Sequence, residues 1–214
     1  MPPDLTVQEE RRVAAEPPIL RFDRVERTVH WVNATLFGIL MLTGAALYAG
    51  PISTLVGNRE VVRWFHVYSG LLLPIPLLIG VLGRHGKRLR TDLGRLNRWS
   101  RDDARWFRRS HRHQVPLGKF NPGQKLNAAL IAGTIVVMLG TGSIMKWFDL
   151  FPLDWRTGAT FVHDWFALGI WAAVIGHILF AVRDGDALDG MIGGSVPAAW
   201  ARTKAPLWYE ELRS

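Results

Sequence analysis

The sequence predicts an all-α integral membrane bundle of four helices, with a basic cytoplasmic connector between helices 2 and 3. Three observations lead there. Residues 29–49, 64–83 and 126–145 hold no Lys, Arg, Asp or Glu, and residues 161–182 hold only Asp164. Each block has about 20 residues, enough for a helix to cross a hydrocarbon core of roughly 30 Å. The Lys and Arg residues are segregated: 21 fall in residues 1–28, 84–124 and 183–214, against four between the other block ends. Ten Trp residues fit the boundaries between membrane and water.

The elements follow in order. Residues 1–20 carry Glu9, Glu10, Pro17 and Pro18 and read as a mobile tail. No apolar stretch precedes the first block, so that block is expected to stay as an anchor rather than be cleaved. The second block contains Pro74 and Pro76, each of which removes an amide donor and is expected to kink the helix. The connector at 84–124 has twelve basic and three acidic residues. By the positive-inside rule it lies in the cytoplasm with both termini. Within it, Trp99, Trp106 and Phe107 suit a helix lying on membrane lipid, and nucleic acid is not an expected partner. The four-helix domain is expected to span 21–182, with a cytoplasmic tail at 183–214.

Composition excludes several chemistries. The chain has no cysteine. It therefore offers no disulfide framework, thiolate zinc site, iron–sulfur ligation or cysteine nucleophile. The net charge of +8 is accounted for by the cytoplasmic face of a membrane protein.

Seven histidines remain. His85, His111 and His113 fall in the basic connector and are expected to be solvated. His30, His66, His163 and His177 fall in the apolar blocks, where an ionisable side chain is costly and marks function. Topology places His30 and His177 near the cytoplasmic side, and His66 and His163 near the outer side. His163 and His177 are 14 residues apart, about 21 Å along a helix and within roughly 40° of one face. Two depth-matched histidine pairs suit two b-type haems, since neutral imidazole is an axial ligand for haem iron. Bis-histidine ligation fills both axial positions and leaves electron transfer as the function. Glycines in every block serve either close helix packing or room for a flat macrocycle. Asp164 either orients a ligand or faces water. Arg27, Arg63, Trp64 and Trp165 are candidates to meet propionates.

At these residues the chain resembles the gamma subunit, a cytochrome b, of respiratory formate dehydrogenases. The stretches that carry the resemblance are Arg21-Phe22-Asp23-Arg24, Glu26-Arg27, His30-Trp31, Trp64-Phe65-His66 and the two histidines of the fourth helix. Gly118-Lys119-Phe120-Asn121-Pro122-Gly123-Gln124-Lys125 is more specific, and the end of the chain from Trp200-Ala201-Arg202 to Pro206-Leu207-Trp208-Tyr209-Glu210 is also similar. The resemblance implies that His30 and His177 bind the inner haem iron, and His66 and His163 the outer one. It also implies a site for menaquinone or a related quinone at Asn121, Gly123, Gln124 and His177. Read by itself, Asn-Pro-Gly before a helix is either a capping turn or a polar ligand site. Pro122 removes one amide donor there.

The resemblance further implies an iron–sulfur electron-transfer subunit, a molybdopterin or tungstopterin catalytic subunit that oxidises formate, and a place in the bacterial cytoplasmic membrane. A chain without cysteine is not expected to oxidise formate itself. The same di-haem module in a hydrogenase or another molybdenum oxidoreductase is the alternative. A haem-free anchor or transporter is the alternative of another class, disfavoured by the lack of an inverted repeat.

Overall fold

The computed structural model describes residues 13, 15–108 and 114–214. His111 and His113, and residues 1–12 and 14 of the expected tail, lie outside the described residues. The protein is a membrane protein built from helices. Four segments are long and apolar enough to cross a membrane: Arg24–Tyr48 (α1), Arg59–Leu82, Pro122–Lys146 and Leu153–Arg183. At most 17% of any of their apolar windows is buried within the chain. Their surface is therefore suited to lipid or to groups the chain does not supply.

A short helix, Gly50–Val56 (α2), follows α1 and ends on Gly57 at φ 71°, in the left-handed region that glycine favours. The second segment consists of two helices, Arg59–Leu72 (α3) and Ile75–Leu82 (α4). The break falls at Leu73 and Pro74, as Pro74 and Pro76 lead one to expect. Asn58 caps α3 by accepting from the Val61 amide at 3.1 Å. After the connector helices Lys87–Leu96 (α5) and Arg101–Trp106 (α6) come Pro122–Lys146 (α7) and the 31-residue Leu153–Arg183 (α8). The fourth helix begins eight residues before its apolar block, at Leu153.

Contacts divide the chain into two compact units. One holds Thr28–Arg84 and Leu130–His177, which includes all four intramembrane histidines. The other holds the N-terminal stretch to Arg27, His85–Ala129 and Ile178–Ser214.

The second of these holds a cluster of buried apolar side chains. The stretch after Val182, expected as a tail, forms Gly185–Ile192 (α9), Ala198–Lys204 (α10) and Pro206–Glu211 (α11). Ile19–Leu20 (β1) pairs antiparallel with Ser195–Val196 (β2), with Ile19 opposite Val196. Val196, Ala198, Trp200, Ala201, Ala205, Trp208 and Tyr209 are buried together. The Trp200 indole donates to Asp184 at 2.8 Å, and Asp184 caps α9. The Arg21 guanidinium stacks 4.4 Å over the Trp200 ring. The Leu207 amide donates to the Leu117 carbonyl, tying the connector to the chain's end.

Polar groups of the connector are satisfied locally. Ser100 and Asp103 form a capping box at the start of α6, and Lys125 donates to Asp103 at 2.8 Å. Burial alone would raise the Asp103 carboxyl. The Lys125 ammonium and the Ser100 amide outweigh it and hold the carboxyl below the usual aspartate range. A depressed folded value means this stabilisation is present above the unfolded pKa and lost as pH falls through the folded one. Asp103→Asn is expected to cost about 1–2 kcal/mol near neutral pH. The gap to the wild type should close below about pH 4. Thermal unfolding of both proteins across that range checks it.

Candidate functional site

The first unit brings the four intramembrane histidines together in two pairs. His30 from α1 faces His177 from α8, with ring centres 6.2 Å apart and planes inclined by 53°. His66 from α3 faces His163 from α8, with ring centres 6.3 Å apart and planes inclined by 66°. The pairing is the one expected from depth. α8 is a single continuous helix, so its two histidines are separated by about 21 Å of rise.

The spacing within each pair tests the fit of a metal. A metal–nitrogen bond is about 2 Å, and a ring centre lies about 1 Å behind its nitrogen. One metal between two imidazoles therefore needs ring centres roughly 6 Å apart. Both pairs meet that requirement. Among the described residues no group of three or more His, Cys, Asp or Glu is placed to hold a metal ion. Two ligands per site fit axial ligation of a macrocycle-bound iron and leave a four-coordinate zinc site incomplete.

The helices around the outer pair are shaped to the rings. A Cβ at Gly44 on α1 would stand 3.3 Å from Cε1 of His66. One at Gly142 on α7 would stand 3.4 Å from Cε1 of His163. Both glycines thus face a ring at close range: a Cβ at Gly44 would crowd it by a few tenths of an ångström, and one at Gly142 would touch it in ordinary contact. Gly44→Val is expected to displace the His66 ring and lower the haem bound per protein. Haem quantified against protein checks it; full occupancy would show that the ring can yield. Beside each glycine is a threonine. Thr43 Oγ1 is 2.9 Å from Nδ1 of His66, and Thr141 Oγ1 is 2.9 Å from Nδ1 of His163. These hydrogen bonds have no counterpart at His30 and His177 among the described residues. His30, His66 and His163 are half-buried and His177 is exposed.

The residues flanking the outer histidines are placed differently. Arg63 is engaged with Glu60 at 2.6 Å. Trp64 and Trp165 are exposed, as membrane-facing aromatics would be, and Asp164 is exposed as well. Asn33, one turn after His30, keeps a buried Oδ1 with no partner.

In the second unit, Asn121, Gly123 and Gln124 stand at the start of α7. Asn121 Oδ1 accepts from the Gln124 amide at 2.9 Å, and Gln124 Oε1 accepts from the Asn121 amide at 3.0 Å. Pro122 occupies the first helical position, where no amide is required. A Cβ on Gly123 would stand 3.2 Å from the Trp106 ring. The turn is thus a reciprocal cap, built with the two carbonyl oxygens. The side-chain NH2 groups are its remaining donors.

Lys119, in the same loop, anchors a cluster that local sequence does not reveal. Its ammonium is hydrogen-bonded to Asp92 and lies 3.8 Å from Glu26, and all three side chains are at least 95% buried. Phe22, Phe120 and Trp208 present their rings to the same nitrogen at 4.9–5.8 Å. Burial pushes the Lys119 ammonium below the usual lysine range, and Asp92 opposes that shift. Glu26 also accepts from the Asp23 amide at 2.7 Å while Asp23 accepts from the Glu26 amide, closing the N-terminal cap of α1.

The family model described as prokaryotic cytochrome b561 matches residues 21–194. Among curated relatives, the formate dehydrogenase cytochrome b556 subunit of Haemophilus influenzae is 24% identical over 207 residues, covering 93% of this chain and 85% of the relative. The nitrate-inducible formate dehydrogenase cytochrome b556(Fdn) subunit of Escherichia coli is 23% identical over 202 residues, covering 91% of each. A probable Ni/Fe-hydrogenase B-type cytochrome subunit of Bradyrhizobium diazoefficiens is 27% identical over 203 residues, covering 81% of each.

Proposed function

Because the chain belongs to the prokaryotic cytochrome b561 family, we propose that it is the di-haem membrane subunit of a respiratory formate dehydrogenase, passing electrons from an external donor to a quinone. The observation that carries this is the spacing of two facing histidine pairs, 6.2 and 6.3 Å between ring centres. His30 and His177 hold the inner haem b, and His66 and His163 the outer one. Held there, haem would supply single-electron transfer.

The chain's own residues divide the work. The four histidines fix two redox sites at different depths on one helix. The apolar side chains around them exclude water and lower the local dielectric. The basic connector and both chain ends face the cytoplasm, since 21 Lys and Arg lie there against four outside. Asn121 and Gln124 offer NH2 donors to a quinone carbonyl, with Gly123 leaving the turn uncrowded. His177 joins that quinone assignment through the family resemblance. Two electrons and two cytoplasmic protons convert a quinone to a quinol. Electrons moving inward while protons are consumed inside leave the outer side relatively positive.

Partners follow from the same reading. The chain has no cysteine for iron–sulfur clusters. An iron–sulfur subunit therefore delivers electrons on the outer side, and a molybdopterin or tungstopterin subunit oxidises formate. Formate is favoured over hydrogen because both formate dehydrogenase relatives cover over 90% of this chain, against 81% for the hydrogenase relative. The hydrogenase assignment is the second reading. Quinone reduction by the purified complex, assayed with formate and with hydrogen, separates them. Formate-dependent reduction is expected; hydrogen-dependent reduction alone would replace the assignment.

A further inference from the structure

The two histidines of the outer pair come from different helices, yet each is held by the same two residue types. His66 lies against Thr43-Gly44, and His163 against Thr141-Gly142. In each case the threonine hydroxyl meets Nδ1 and the glycine faces Cε1 of the same ring. The threonine hydroxyl has a single proton, and a carbonyl of its own helix stands within reach to take it. Thr43 donates to the Ile39 carbonyl at 2.6 Å, and Thr141 to the Val137 carbonyl at 2.8 Å. With that proton committed, the oxygen can only accept from the ring. Nδ1 of both histidines then carries the proton, and Nε2 of both keeps its lone pair.

We propose that Thr43-Gly44 and Thr141-Gly142 are matched positioning elements that fix the tautomer of the outer histidines and lower the reduction potential of the haem they hold. This rests on the di-haem reading above. The physical route is short. An acceptor on Nδ1–H draws the proton outward and makes the imidazole a stronger donor through Nε2. A stronger donor favours the more positive ferric iron over the ferrous form. The glycines let the helix backbone approach the ring closely enough for the threonine to reach. A threonine that only bonds its own helix backbone is commonplace. Such a threonine has no reason to recur beside a glycine and at 2.9 Å from a ring nitrogen on both sides of one pair. Without this bond, His30 and His177 give the inner haem a different setting.

The test uses the intact membrane complex carrying Thr43→Val, Thr141→Val, or both, with Thr→Ser as the conservative control. Potentiometric titration of the haem spectra resolves the two midpoints, and low-temperature electron paramagnetic resonance reads the axial ligand field of the ferric haems. Each Val variant is expected to raise the outer midpoint and leave the inner one in place. The ferric-to-ferrous ratio at fixed potential should change by up to about tenfold, equal to about 59 mV for a one-electron couple. The double variant should move further in the same direction, and Ser should restore the wild-type values. Val variants with two haems and unchanged midpoints and resonance would overturn the proposal while leaving the di-haem reading intact. A wild-type complex with no haem at the outer pair would overturn both.

Discussion

His66→Ala is expected to leave one haem per chain in place of two and to reduce quinone reduction by the intact complex to background. Among the described residues His66 and His163 face only each other, so none of those supplies a second imidazole to replace the lost ligand. The remaining pair, His30 and His177, stands about 21 Å away along α8. Electrons entering from the outer side would then have to bypass the vacated depth. Oxidation of formate with an artificial acceptor at the partner subunits should persist, because that chemistry needs nothing from this chain. The two assays together distinguish a broken electron path from a misassembled complex. Unchanged quinone reduction in His66→Ala would mean that electrons do not pass through the outer pair.

Lys119→Met is expected to be the most damaging substitution outside the histidines. It removes the cation between Asp92 and Glu26, whose side chains are each 5% exposed. Breaking a buried ion pair from one side strands uncompensated charge and costs about 3–5 kcal/mol. Asp92 keeps the Arg95 guanidinium at 2.9 Å, so the loss of a cation falls on Glu26. The variant should unfold at lower temperature than the wild type. Adding Glu26→Gln to Lys119→Met should restore part of the loss, since a neutral amide then replaces the carboxylate left without its cation. Thermal unfolding of the solubilised complex, followed by loss of the haem spectrum, measures each step. A Lys119→Met protein as stable as the wild type at neutral pH would show that the cluster is not a structural anchor.

Much of this architecture is legible in the sequence because the bilayer imposes simple rules. Apolar blocks of about 20 residues became the four spanning segments, and Pro74 with Pro76 placed the break between α3 and α4. The histidine pairs were legible because antiparallel helices convert sequence position into depth. What escaped were contacts made across the fold. Thr43 and Thr141 read as ordinary residues of apolar helices, since the ring each one meets lies 22 or 23 residues away on another helix. Lys119, Asp92 and Glu26 are separated by 27 and 66 residues and carry no local pattern that joins them. The segment after Val182 looked like a tail because its helices are short. Its order comes from Trp200, Trp208 and Tyr209 packing together and from a strand pair with Ile19 and Leu20. The Asn121–Gln124 turn was legible in both of its readings. The reciprocal cap is the structural one, and the quinone role stays with the proposal.

The most direct test is a dithionite-reduced minus oxidised spectrum of the freshly solubilised complex, with haem and chain quantified in the same sample. Two b-type haems per chain is the result expected from His30 with His177 and His66 with His163. Absence of haem from the chain in freshly isolated native membranes would contradict the electron-transfer account at its base.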